Sequence, residues 1–192
     1  MRGMSKLIYS MGVSLDGFIA GPEGEIAVPP PDEELHRFHN EQARELGAHL
    51  CGRRMYEVLS YWDTFADENP SAPEHELDFA EIWKRTPKFV FSTTLEEVGD
   101  NATLVTGDLA DGVAALKEQT EGDLAVGGAG LASSLIALGL IDEYRPFIHP
   151  VVVGGGTAYF PPAVRLELRL LEARSFGSGA VYLRYERAAA GS

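Results

Sequence analysis

The stretch Asp123–Leu140, DLAVGGAGLASSLIALGL, constrains the fold more than any other. Leu124 to Val126 is a short apolar run ended by Gly127 and Gly128. Leu131, Leu135 and Leu138 then recur at helical spacing until Gly139 offers a stop. The pattern is strand, glycine turn, helix. Glycines at such a turn let the backbone approach a ligand closely, and the free N–H groups of a first helical turn, with the helix dipole behind them, favour a phosphate. The same residues would equally serve a tight turn that binds nothing, and the segment alone leaves both readings open.

The rest of the chain alternates in the same way. Lys6 to Ser14 reads as a first strand, followed by Leu15-Asp16-Gly17-Phe18-Ile19-Ala20 and a long irregular loop that Pro29, Pro30 and Pro31 end. Asp32 can cap a helix with Glu33 and Glu34 in its first turn and Leu35, Phe38, Ala43 and Leu46 on its apolar face, stopped by Gly47. His49–Cys51 is a short strand. Gly52, Arg53 and Arg54 follow it at once, ahead of a helix from Met55 to Ser60. Two guanidinium groups at a strand-to-helix turn suit a phosphate by charge-assisted forked hydrogen bonds, although an ordinary solvated arginine pair has the same sequence. Asp63 to Pro73 is polar, acidic and proline-containing, and reads as an excursion before a helix over about Glu74–Lys84.

Lys88 to Ser92 is the next strand and puts Ser92, Thr93 and Thr94 at its carboxyl end, the edge where open α/β sheets hold ligands. Thr103–Val105 is a strand, and Val113 and Leu116 mark a helix before the Asp123 segment. Strands alternating with helices imply a parallel core with right-handed crossovers. After Leu140 the pattern changes. Glu143–Val153 is a long strand ending in three glycines, and Arg165–Phe176 with Val181–Arg187 forms an antiparallel hairpin at the sheet edge. The expected fold is α/β: one domain over residues 1–192 with its core at about 6–187, built on an eight-stranded mixed sheet.

Charge and cysteine content bound the function. Lys plus Arg is 16 against 29 Asp plus Glu, a formal net charge of −13, which argues against a nucleic-acid surface and requires any anionic ligand to find a local basic pocket. The single cysteine, Cys51, cannot form an intrachain disulfide. No run reaches the roughly 18–20 apolar residues of a membrane span, so a cytoplasmic protein is expected. His36 and His39 stand one helical turn apart, but no further ligands follow at metal-binding spacing, so no metal is expected.

Ser14-Leu15-Asp16-Gly17-Phe18-Ile19-Ala20, Gly52-Arg53-Arg54-Met55-Tyr56-Glu57, Val126-Gly127-Gly128-Ala129-Gly130-Leu131 and His149-Pro150-Val151-Val152-Val153-Gly154-Gly155-Gly156, in this order, resemble the dihydrofolate reductase superfamily. Within it they are most similar to the reductase domain of the bifunctional riboflavin-biosynthesis deaminase-reductase, over nearly the whole chain. The resemblance implies a dihydrofolate-reductase-like fold with helices on both faces of the sheet, and a homodimer. It also implies NADPH lying across the carboxyl edge and delivering a hydride to a pteridine- or pyrimidine-like small molecule. Gly52, Arg53, Arg54, Ser92 and Thr93 would then surround the adenosine end and its 2′-phosphate. Gly127, Gly128, Ala129, Gly130 and Leu131 would hold the pyrophosphate, with Asp16 and Gly17 near the nicotinamide.

Two departures matter. Met55 stands where family members often carry Thr, and Glu34, four residues before Phe38, stands where dihydrofolate reductases carry the Asp that binds and helps to protonate the pterin. Glu34 as orienter or proton source and Phe38 as a substrate contact are therefore expectations of the resemblance; a solvated Glu34 is the competing one. Trp62 either lines the substrate cleft or packs. The chain has no deaminase domain with zinc ligands. Three functions remain: an NADPH-dependent reductase resembling 5-amino-6-(5-phosphoribosylamino)uracil reductase, a dihydrofolate reductase, or a nucleotide-binding member of the fold without catalysis.

Overall fold

Six parallel strands form the frame. The computed structural model describes residues 5–188. In chain order its elements are β1 (Leu7–Ser14), β2 (Phe18–Ala20), α1 (Glu33–Arg44), β3 (Leu46–Gly52), α2 (Arg53–Leu59), α3 (Tyr61–Glu68), α4 (Glu74–Arg85), β4 (Lys88–Phe91) and β5 (Ala102–Val105). Then follow α5 (Leu109–Gln119), β6 (Asp123–Gly127), α6 (Ala129–Ala137), β7 (Glu143–His149), β8 (Thr157–Ala158), β9 (Leu168–Ser175) and β10 (Val181–Arg187). The main sheet has eight strands in the order β5-β4-β3-β6-β1-β7-β10-β9. β10 alone runs against its neighbours, pairing antiparallel with both β7 and β9, so the sheet is mixed as expected. β2 and β8 form a separate two-stranded ribbon.

Alternation along the strands divides the core between the two faces. Leu7, Tyr9, Leu50, Leu124 and Val126 pack with Val113 and Leu116 of α5 and Ala132, Leu135 and Ile136 of α6. On the other face, Cys51 and Val90 meet Tyr56 of α2 and Trp83 of α4, while Phe147 and Tyr182 meet Leu35 and Phe38 of α1. The connection leaving β3 leads to β4 on one side, and that leaving β6 leads through α6 to β7 on the other. The carboxyl ends of these adjacent strands are thus a topological switch point, the place where such sheets form a crevice.

Several sequence expectations shift. α1 begins as read, with the Asp32 carboxylate accepting from the Leu35 N–H, but it stops before Leu46, which opens β3. Gly47 is a strand residue rather than a stop: a Cβ there would stand 2.1 Å from the Glu121 carbonyl oxygen, so the close approach of the two chains requires glycine. The supposed polar excursion contains helix α3, which buries Phe65. The long strand read as Glu143–Val153 ends at His149, and residues 150–156 are irregular. Among the described residues no helix is long and apolar enough to cross a membrane.

Candidate functional site

β3 and β6 each end in a glycine-led turn into a helix. Gly52 caps α2 and Gly128, at φ 91°, caps α6, and neither helix start is capped by a side chain. Positive φ explains glycine at position 128. A Cβ at Gly130 would meet nothing within 4 Å among the described residues, so the first turn of α6 borders open space. Cys51 is in register with Gly127, which sets the two helix starts side by side at the switch point. Gly127 and Gly128 both pack against Met55, whose side chain would meet an added Cβ at 3.2 Å in each case. Leu131 borders Gly52, 3.7 Å from where its Cβ would stand.

The arginines separate. Arg53 donates through Nε to Glu57 Oε1 at 2.8 Å and through Nη1 to Thr94 Oγ1 at 3.1 Å. Ser92 Oγ accepts from the N–H groups of Thr94 and Leu95, shaping the loop that carries Thr93 and Thr94. Arg54 is exposed, makes no hydrogen bond or ion pair among the described residues, and reaches toward Gly24, where a Cβ would stand 3.9 Å from its Nη2. This edge therefore offers an engaged guanidinium beside hydroxyls and a free one beside the loop after β2. With the glycine-led helix starts, the donor set and the open space beside it suit the phosphate chain of a dinucleotide.

A cavity of about 370 Å³ runs from this edge beneath α1, α2, α3 and α4. Met55 and Gly127 line it at the switch point, and Ser10, His36, His39, Gln42, His49, Trp62, Arg145 and Phe147 line its interior. No Asp or Glu stands among the described residues that line it. Burial lowers the imidazole pKa values, to about 4 for His39, with His36 and His149 pushing the same way, and to about 4 for His49, with Lys88 adding to the effect. The His36 imidazole is lowered too, by burial and by His75. His49 Nε2 is buried with no hydrogen-bond partner among the described residues. Among the described residues, no group of three or more His, Cys, Asp or Glu side chains is placed to hold a metal ion.

Behind the cavity wall lies a buried charge cluster. Glu143, 1% exposed, accepts from Lys6 Nζ at 2.6 Å, from Arg145 Nε and Nη2 at 3.0 and 2.7 Å, and from Arg184 Nε and Nη2 at 2.8 and 2.9 Å. Burial alone would raise its carboxyl; the bonds from Arg184, Lys6 and Arg145 outweigh that and hold it at about 2.

Two expected site residues, Glu34 and Phe38, are placed otherwise, and Asp16 is held at the carboxyl end of β1. Glu34 is exposed, and its Oε2 accepts from the Gly177 N–H at 3.0 Å, so it anchors the β9–β10 turn instead of entering the cavity. Phe38 packs 5.0–6.0 Å from the rings of Tyr182, Phe176 and Phe147, inside the apolar cluster. The Asp16 carboxylate accepts from Ser14 Oγ at 2.7 Å, Val153 N at 3.2 Å and Gly154 N at 2.7 Å. Those bonds, the Ser14 hydroxyl first, lower its pKa and tie the Gly17 turn to the glycine loop after β7. Trp62 does line the cavity. The sequence does not single out Arg145 or Gln42, and it raises the histidines only as a metal question, whereas His36, His39 and His49 line the cavity. The available signal was the recurrence of His36, His39 and Ala43 on one stripe of α1, beside the Leu35 and Phe38 stripe.

Glu34→Ala accordingly is expected to cost about 0.5–1.5 kcal/mol of stability, the value of one hydrogen bond, and to leave cofactor binding untouched. Thermal unfolding together with a cofactor titration checks this; a loss of cofactor affinity would return Glu34 to the site.

The family model described as the RibD C-terminal domain matches residues 5–182. An uncharacterised Bacillus subtilis (strain 168) protein, YyaP, is 32% identical over 184 residues, 94% of each chain. A solved structure from Shewanella sp. PV-4, provisionally assigned to riboflavin biosynthesis, superposes with a TM-score of 0.75 at 23% identity, over 96% of this chain and 99% of that one. Dihydrofolate reductase from Enterococcus faecalis, complexed with NADP(H) and the ligand RAB-propyl, superposes with a TM-score of 0.64 at 14% identity, over 97% and 99%. The likeness to these two structures is one of fold.

Proposed function

Because this chain belongs to the RibD C-terminal domain family, we propose that it is an NADPH-dependent reductase of a small pyrimidine- or pteridine-like substrate. The observation that carries this reading is the continuity of the two sites: Met55 and Gly127 border the glycine-led helix starts and also line the cavity. A dinucleotide held on that edge would reach a ring held in the cavity.

The residues divide the work as follows. Gly127, Gly128, Ala129, Gly130 and Leu131 would receive the pyrophosphate at the start of α6, and Arg54, unpaired among the described residues and reaching toward Gly24, would add a cation to it. Arg53, next to Thr94 and the Ser92 turn, would receive the 2′-phosphate. NADPH, when bound, supplies the hydride. Trp62, Phe147 and Met55 exclude water and orient the substrate ring. With no carboxylate on the wall and its imidazoles neutral near pH 7, the proton comes from water admitted to the cavity.

The test is a titration of NADPH and NADH. A charged hydrogen bond contributes roughly 1.5–3 kcal/mol, so Arg53→Ala is expected to weaken NADPH by about 10- to 100-fold and barely affect NADH. Arg54→Ala should weaken both, because both carry the pyrophosphate. Glu57→Gln, which releases Arg53 from its ion pair, should tighten NADPH. Equal wild-type affinity for the two cofactors would remove the 2′-phosphate clamp, and binding of neither would overturn the reductase reading.

A further inference from the structure

We propose that Arg145 and Gln42 determine the specificity of the cavity, and that they select a substrate whose inner edge presents hydrogen-bond acceptors, carbonyl or anionic oxygens, and reject one that presents amidine donors. This rests on the cavity being the substrate site, as argued above.

The argument is an accounting of donors and acceptors. A guanidinium has five N–H donors and no acceptor. In Arg145 three are committed: Nε and Nη2 to Glu143 Oε2, and Nη1 to Gln42 Oε1 at 2.8 Å. Two N–H groups are left on a side chain that is 9% exposed and lines the cavity. Gln42 Oε1 accepts from Arg145 and, at 3.4 Å, from the Tyr182 hydroxyl. That fixes the amide orientation, so what Gln42 offers the cavity is its NH₂ group, again donors only. Ser10 sits opposite Arg145 in the sheet, and its hydroxyl donates to the Arg145 carbonyl at 3.3 Å, which leaves the oxygen's lone pairs as a minor acceptor.

The charge at this end has the same sign. Lys6, Arg145 and Arg184 surround Glu143, and Glu172 stands opposite Arg184, so three cations face two carboxylates and the wall behind the cavity carries more positive than negative charge inside a strongly acidic chain. An oxygen-rich edge finds partners there. The amidine edge of a pterin or a 2,4-diaminopyrimidine, whose N–H groups need a carboxylate, would face donors and bury its own donors unpaired. The neutral histidines farther along the wall offer single nitrogens, not the paired acceptors of a carboxylate. Dihydrofolate is therefore a poor substrate for this cavity.

Calorimetric titration of the full chain with sodium barbiturate, a flat oxo-rich anion, and with 2,4-diaminopyrimidine tests the polarity. Barbiturate should bind at least about tenfold more tightly. Gln42→Glu keeps a partner for Arg145 and turns the amide donors into an acceptor, so it should weaken barbiturate by about tenfold or more and improve diaminopyrimidine. Circular dichroism confirms the variant's fold, and Arg145→Lys, which retains the charge and loses the second nitrogen, provides an independent variant expected to weaken barbiturate. Equal binding of the two probes, binding of neither, or an unchanged preference in folded Gln42→Glu overturns the proposal. An NADPH titration run alongside separates the two readings: failure of NADPH to bind removes the reductase, whereas NADPH binding with diaminopyrimidine preferred removes only the inverted polarity.

Discussion

Glu143→Ala is expected to destabilise the protein by about 3–5 kcal/mol, the typical cost of removing one partner from a buried ion pair. That is a large part of the roughly 5–15 kcal/mol that holds a domain folded. The reason is asymmetry. Glu143 is 1% exposed and takes hydrogen bonds from three cations: Arg145 on its own strand, Arg184 on β10 and Lys6 just before β1. Without the carboxylate, the Arg145 guanidinium stays buried with only Gln42 as an acceptor. Glu143→Gln retains one acceptor oxygen and should fall between wild type and alanine. Denaturant unfolding of the three proteins gives the comparison, and a loss below about 1 kcal/mol in Glu143→Ala, the scale of a surface pair, would show that water already screens the cluster. Because Arg145 lines the cavity, the same substitution should loosen the donor wall, so barbiturate affinity should fall with stability.

Local patterning revealed the frame because each element depends on residues close in sequence. Leu124 to Val126, the glycines after it and the leucine spacing of α6 define strand, turn and helix without help from elsewhere. The β9–β10 hairpin follows from alternation in the same way. Gly47 was misread because its requirement is steric contact with Glu121, a residue far along the chain. α3 was hidden by its charged residues, although Trp62 and Phe65 keep helical spacing and their rings meet at a tilt, 4.7 Å apart.

The site was harder to read because helical spacing tells which residues share a face, not what that face meets. Glu34 and Phe38 do share one, as their interval implied. Packing of Phe38 against Phe147, Phe176 and Tyr182 fixes the rotation of α1, and with it Glu34 is carried to the hairpin turn. The neighbouring stripe, His36, His39 and Ala43, then faces the cavity. Arg145 was invisible for a related reason: its partners, Gln42 on α1 and Glu143 two residues before it, come together only once β1, β7 and β10 are assembled. The phosphate edge was more legible, since Gly52, Arg53 and Arg54 are contiguous and lie at a strand end by local pattern alone.

Acid should unfold this protein well before its carboxylates are neutralised. All five histidines of the chain surround the cavity or touch those that do: His36, His39 and His49 line it, the His75 ring lies 4.9 Å from His36, and His149 acts on His39. Burial lowers the pKa of His39 and His49 to about 4 in the fold, from an ordinary value of 6.5. The lowered folded value means that these groups contribute stability above the unfolded pKa and that the contribution is lost as pH falls through the folded one. Between pH 6.5 and 4 the unfolded chain binds protons that the folded chain does not, and stability must decline. At about 1.4 kcal/mol per unit of displacement, the pair together removes up to about 7 kcal/mol once the pH is below the folded value, and His36 and His149, also lowered by burial, add in the same direction. Glu143, ordinarily near 4.5 and held at about 2, keeps contributing stability as the histidines lose theirs, and its own loss begins only as pH falls below about 4.5. Denaturant unfolding at pH 7.5, 6.5, 5.5 and 4.5 should show the fall, and a His39→Gln, His49→Gln double variant should flatten it whatever its stability at neutral pH. Equal stability of the wild type at pH 7.5 and 4.5 would mean that the imidazoles accept protons inside the cavity, and with them the charge that a donor-only wall at Arg145 is arranged to supply alone.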